Sequence, residues 1–127
     1  MSSQCDLFDI STLTVDEWAV WNIVQWHSGR ARAICVKKIA SHVFLNERYI
    51  RSIIKSLIEN HHKPIGSSPG NPPGYYLITD RYELRETRTS LFNRAISIMR
   101  RIRAYDPERS ESVSRIEGQL NLLKDRI

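Results

Sequence analysis

In VKKIASHVFLNERYIRSIIKSLIEN, Val36 to Asn60, the residues Ile50, Ile53, Ile54, Leu57 and Ile58 recur at i, i+3, i+4, i+7 and i+8. This spacing makes one continuous apolar stripe along a helix. At about 100° per residue, Arg48, Ser52 and Lys55 fall on the opposite side, with Arg51 on one flank and Tyr49 on the other. Such a helix packs by its back and offers cationic and hydrogen-bonding groups at its front. Asn46 stands where an N-cap is needed. Just upstream, Ile39, Ala40 and Val43 give a second helix over Val36–Val43 one buried face, and Leu45 fills the turn between the two.

The flanking segments extend this pair. LTVDEW holds a capping box, Thr14 with Glu17, and a hydrophobic staple, Leu13 with Trp18. It predicts a first helix from about Val15 to His27. Trp18, Trp21 and Trp26 make it apolar on more than one side, and no basic residue lies among them, so they are expected in the core. Alternation in RARAICV predicts a short strand at Arg32 and Ile34. Downstream, Lys63–Gly66 and Tyr75–Ile78 read as the arms of a β-hairpin. Between them Ser67 to Gly74 carries two Gly and three Pro, a loop that no helix could cross.

Charge is unevenly placed. Residues 1–29 hold four acids and no Lys or Arg, residues 30–63 hold eight basic residues against two acids, and residues 81–105 hold seven arginines against two acids. With a pI of about 9.5, two basic blocks suit a polyanionic partner. A chain of 127 residues with 41% apolar content can bury one modest core. No apolar run approaches the roughly 20 residues that cross a bilayer, and MSSQCDLFDI lacks a secretory n-region. Cys5 and Cys35 are too few for a disulfide framework or a cysteine zinc site. A cytoplasmic protein with reduced thiols is expected.

Helix, strand, helix, helix, hairpin is the order of a winged helix-turn-helix, with the hairpin as the wing beside the recognition helix. The expected fold is mainly α with a small β-hairpin: a winged helix-turn-helix core over 13–80, a long helix over 81–105, and a C-terminal helix over 106–127. In this reading Arg48, Arg51, Ser52, Asn46 and Tyr49 face the major groove, and Lys37, Lys38, Lys55 and Lys63 hold phosphates. The wing has no Lys or Arg at its tip, so Ser67 and Asn71 add only neutral hydrogen bonds.

From about Trp18 to Tyr105 the chain resembles the small winged helix-turn-helix proteins of bacteriophages and prophages. The resemblance rests on AICVKKIASHVFLNERYIRSIIKSLIEN, on KPIGSSPGNPPGYYLITDRYEL and on the Arg-rich helix that follows. It implies double-stranded DNA binding, as a stand-alone protein or as the DNA-binding part of a replication or regulatory protein. The chain departs from that pattern at Cys35, where a hydroxyl N-cap is expected, and beyond Tyr105.

The long helix is expected to start near Asp80 and to run to about Tyr105, a rod of roughly 40 Å. Leu84, Leu91 and Ile98 repeat every seven residues, with Ala95, Ile102 and Tyr105 as the alternate seam and Phe92, Ile96 and Met99 widening it. Such a rod is expected to pack partly on the core and to extend from it, and its arginines either line DNA or solubilise it. Asp106-Pro107 breaks the chain, with Pro107 suited to N1 of a new helix. There Val113, Ile116, Leu120, Leu123 and Ile127 form an a/d seam of about two heptads. The seam either folds back on the long helix or pairs with a second subunit, and a homodimer is the expectation.

Enzymatic and metal-binding readings find no support. His27, His42, His61 and His62 suit capping roles at helix ends, His61 and His62 point about 100° apart on a helix, and there is no carboxylate pair, phosphate loop or nucleophile motif. No enzyme activity, cofactor or metal is expected. The competing reading is a protein–protein adaptor that works through the long helix and the C-terminal tail. A regulator with an effector pocket is disfavoured, because so short a chain leaves no sensory domain.

Overall fold

A computed structural model of the chain describes residues 13–126. Cys5 and the seam position Ile127 lie outside the described residues. The elements are α1 (Val15–Val24), a 3-10 turn (Arg30–Arg32), α2 (Val36–Val43), α3 (Glu47–Glu59), β1 (Ile65–Ser68), β2 (Gly74–Leu77), α4 (Arg81–Tyr105), a second 3-10 turn (Pro107–Arg109) and α5 (Ser110–Asp125). They form two compact units divided after Asp80.

In the first unit α1 and α2 both pack on α3. The capping box forms in full, with Thr14 Oγ1 accepting from the Glu17 amide at 3.1 Å and Glu17 Oε1 from the Thr14 amide at 2.9 Å. The expected extension of α1 to His27 does not form. Trp26 and His27 donate instead to Ile23 and Val24, one residue short of α-helical pairing, which tightens the last turn. Val20 and Val24 of α1 join Ile39 of α2 and Ile50, Ile53, Ile54 and Leu57 of α3 in a core completed by Ile34 and Ile65. Each such side chain contributes about 1.5–3 kcal/mol on burial. Ile58, the last member of the stripe, is 40% exposed and lies outside that core. The tryptophans also divide against expectation. Trp21 packs on the core, but Trp18 is 47% and Trp26 75% exposed.

The expected strand at Arg32 and Ile34 is a 3-10 turn followed by a single bridge. Ile34 and Tyr75 exchange both backbone hydrogen bonds at 2.8 Å. Farther along, Gly29 donates to Leu77 and Leu77 donates to His27. The second edge of β2 is thus satisfied by loop backbone rather than by a third strand, because Arg30–Arg32 coil into a 3-10 turn after Gly29. The hairpin is antiparallel, with Ile65 opposite Leu77 and Ser68 opposite Gly74. Each arm sits slightly toward the loop from its expected bounds, so Ser67 lies within β1 and only 69–73 form the loop. Gly74 is required twice. Its φ is +124°, and a Cβ there would lie 2.0 Å from the Ile34 carbonyl oxygen.

In the second unit α5 folds back antiparallel on α4. Phe92, Ala95, Ile96 and Met99 of α4 are wholly or partly buried, as are Val113, Glu117 and Leu120 of α5. Glu117 accepts from Arg100 Nε at 2.7 Å and from Arg103 Nη1 at 3.0 Å. Lys124 donates to Asn93 and Arg103 to Ser114. The face of α4 that packs is therefore the one holding Phe92, Ile96 and Met99. The heptad row Leu91–Ile98 and its companions Ile102 and Tyr105 stay exposed. Val113 and Leu120 of the expected oligomerisation seam are spent within the chain, whereas Ile116 and Leu123 remain 45% and 50% exposed. No helix among the described residues is long and apolar enough to cross a membrane.

Candidate nucleic-acid interface

Helix α3 carries the candidate front. Arg48, Arg51, Ser52 and Lys55 are all exposed, and Ile50, Ile53, Ile54 and Leu57 behind them are buried. Within the described residues of the first unit, nothing covers Arg48, Ser52 or Lys55 at the centre of the front. Ser52 turns its hydroxyl back onto the Tyr49 carbonyl at 2.7 Å, and Arg51 lies 3.9 Å from Glu47 with both side chains about half exposed, a pair of little energetic weight. Arg48 and Lys55 are the least encumbered cations of this face.

Two expected contact residues are already engaged. Asn46 Oδ1 accepts from the Tyr49 amide at 2.8 Å, so it serves as the N-cap. The Tyr49 hydroxyl donates to Asp16 Oδ2 at 2.8 Å. That hydrogen bond, above all, raises the tyrosine pKa. Asp16 thus places a carboxylate beside the N-terminal turn of α3, a local charge that opposes phosphate.

The supporting positions separate into two groups. Lys37 and Lys38 are exposed on α2. Lys63, expected on phosphate, holds its ammonium 4.9 Å above the Trp21 ring, a cation–π contact. Ser67 and Asn71 are exposed on the hairpin and its loop. Cys35 occupies the N-cap of α2 without a side-chain hydrogen bond. It lines an open cavity of about 310 Å³ with His27, Ala33, Ile34, Lys38, Pro72 and Pro73.

Behind α3 lies a cluster that the sequence did not reveal. Glu17, 7% exposed, accepts from the Ser56 hydroxyl at 2.6 Å and sits 3.3 Å from His61 Nε2. Burial works to raise the Glu17 pKa. The Ser56 hydroxyl, the Thr14 amide, His61 and the Thr14 side chain outweigh burial and hold it below its usual 4.5. The cluster ties the C-terminal half of α3 to α1, so His61 pairs with a carboxylate rather than acting only as an end cap. The signal was the capping box itself, since Glu17 has a second oxygen that the box does not use. Among the described residues no group of three or more His, Cys, Asp or Glu could hold a metal ion. No family model, no curated protein and no solved structure matches the chain.

Proposed function

We propose that the chain binds double-stranded DNA without catalysing a reaction, as a winged helix-turn-helix protein of the phage type it resembles, acting in replication or transcription control. Helix α3 is the recognition helix and the β1–β2 hairpin the wing. The observation that carries the reading is the two-sidedness of α3: a buried aliphatic back and an open front of Arg48, Ser52 and Lys55. Arg48 near the helix start suits the guanine edge, whereas Lys55, Lys37 and Lys38 suit phosphate. Two copies on one duplex would match a two-fold site.

Retention on random duplex across a salt series tests the reading. Binding that rests on phosphate falls steeply between about 50 and 200 mM salt. Retention that ignores salt would leave the second reading, an adaptor. That alternative is favoured by the aliphatic side chains left half exposed on α4 and α5.

A further inference from the structure

The exposed aliphatic residues of the second unit form one face. On α4, the row that packs against α5 runs through Phe92, Ile96 and Met99, and Leu91, Ile98 and Ile102 lie about 90–130° round the helix from its middle. On α5, Val113 and Glu117 face α4, and Ile116 and Leu123 lie about 90° round. Both displacements run backwards in sequence, and the helices are antiparallel, so they carry the two rows to the same side of the pair. The contacts of Asn93 with Lys124, Arg100 with Glu117 and Arg103 with Ser114 hold a single register. That register interleaves Leu91, Leu123, Ile98, Ile116 and Ile102, in this order, along the hairpin. Their exposures are 54%, 50%, 47%, 45% and 43%.

We propose that this face packs against the same face of a second copy, so that two hairpins make a four-helix bundle. The inference rests on the reading that two copies share one duplex, and it names where they meet. Three observations favour a second copy. The hairpin is thin by itself, since Ile96 and Val113 are its only fully buried apolar residues among those described. The exposed rows keep seven-residue spacing on both helices, the spacing of bundle packing. The face measures roughly 20 by 20 Å from the helix rise and diameter, about half of the ~800 Å² per partner of a standard interface, and its polar border adds to it.

The borders also fit. Arg94 and Arg101, exposed and without an ion pair among the described residues, edge the face along α4. Ser112 and Gln119 edge it along α5. A two-fold axis parallel to the helices sets α4 over the α5 of the other copy, so each arginine edge meets a Ser–Gln edge and not its own like.

Light scattering on the eluting full-length chain, in reducing buffer at tens of micromolar, reads the association. The wild type is expected at twice 14.8 kDa, the Ile98→Glu/Ile116→Glu variant at the single-chain mass, and Leu122→Glu, which alters the outer side, at the doubled mass. Circular dichroism checks that helicity is kept. If the double Glu variant loses helicity, Ile98→Ala/Ile116→Ala decides, with association weakened at least tenfold. A wild type that runs as one chain overturns the proposal, as does a folded double variant that stays paired. A partner helix from another protein as occupant would show as a single-chain wild type. A paired chain with no salt-dependent duplex retention would support this interface and overturn the DNA reading alone.

Discussion

The Ser56 hydroxyl meets Glu17 Oε2 at 2.6 Å, joining helices whose contacting residues are 39 positions apart. The carboxylate also accepts from the Thr14 amide and faces His61. Removing it as Glu17→Ala leaves the half-buried Ser56 hydroxyl and the Thr14 amide without this acceptor and should cost about 1 kcal/mol or more. The pH dependence has a definite sign. A carboxyl held below 4.5 in the folded state adds stability above its unfolded value, and loses it as pH falls through the folded one. In urea titrations Glu17→Gln should be less stable than wild type near neutrality, with the gap closing below pH 4.5. A gap independent of pH would show that the charge carries none of the effect.

Arg48 and Lys55 share the open face of α3 but should fail differently. Arg48→Ala should cost about 1–3 kcal/mol at one base pair and relax preference there. Lys55→Ala should weaken all duplexes alike and lower the salt slope by about one. Binding assays on matched and single-substituted sites check both. Equal loss on every site for Arg48→Ala would remove direct readout from that residue.

Asp16 and Lys63 give a paired test of the electrostatics. Asp16 lies beside the front through Tyr49, so Asp16→Asn should raise affinity for any duplex by roughly two- to five-fold at low salt. Lys63 lies over Trp21. Lys63→Met should leave the salt slope unchanged and cost stability on the order of 0.5–1 kcal/mol. A drop of one in the slope would return Lys63 to the phosphate contacts.

What the sequence disclosed was local. The capping box, the Asn46 cap, the stripe of α3 and the Gly–Pro loop each depend on residues within a turn or two. The Asp16–Tyr49, Glu17–Ser56 and Lys63–Trp21 contacts depend on how α1 crosses the rest of the unit, which no periodicity encodes. Helix α4 illustrates a different limit. Its rows Leu91–Ile98 and Phe92–Met99 share the seven-residue spacing, so the pattern alone cannot choose between them. Glu117 decides, because it draws Arg100 and Arg103, and with them the Phe92 row, toward α5.

Gly74 tests the loop backbone that replaces a strand. Gly74→Ala forces a Cβ against the Ile34 carbonyl at a φ of +124°. Strain of this kind costs about 1–3 kcal/mol, and the steric clash adds to it. Gly70→Ala, which meets nothing within 4 Å, is the control. Thermal melts should separate the two, and equal melting points would mean that the Ile34–Tyr75 bridge gives way freely.

Phe44 closes α2 in the left-handed region, at φ 58°, with its side chain 90% exposed. Glycine is the usual residue at such a position because it lacks the Cβ that makes the conformation costly. The ring gains little from burial here, so nothing within the described residues offsets the strain. Phe44→Gly should therefore stabilise the folded chain by about 1 kcal/mol, net of the extra freedom glycine gives the unfolded chain. Phe44→Asn, which tolerates the same conformation, should also gain. Phe44→Val, whose branched side chain does not, should lose. Urea midpoints of the three variants against wild type give the order directly. If Gly and Asn destabilise instead, the ring makes a stabilising contact that outweighs its backbone strain, and duplex affinity of the same variants would show whether the turn touches DNA.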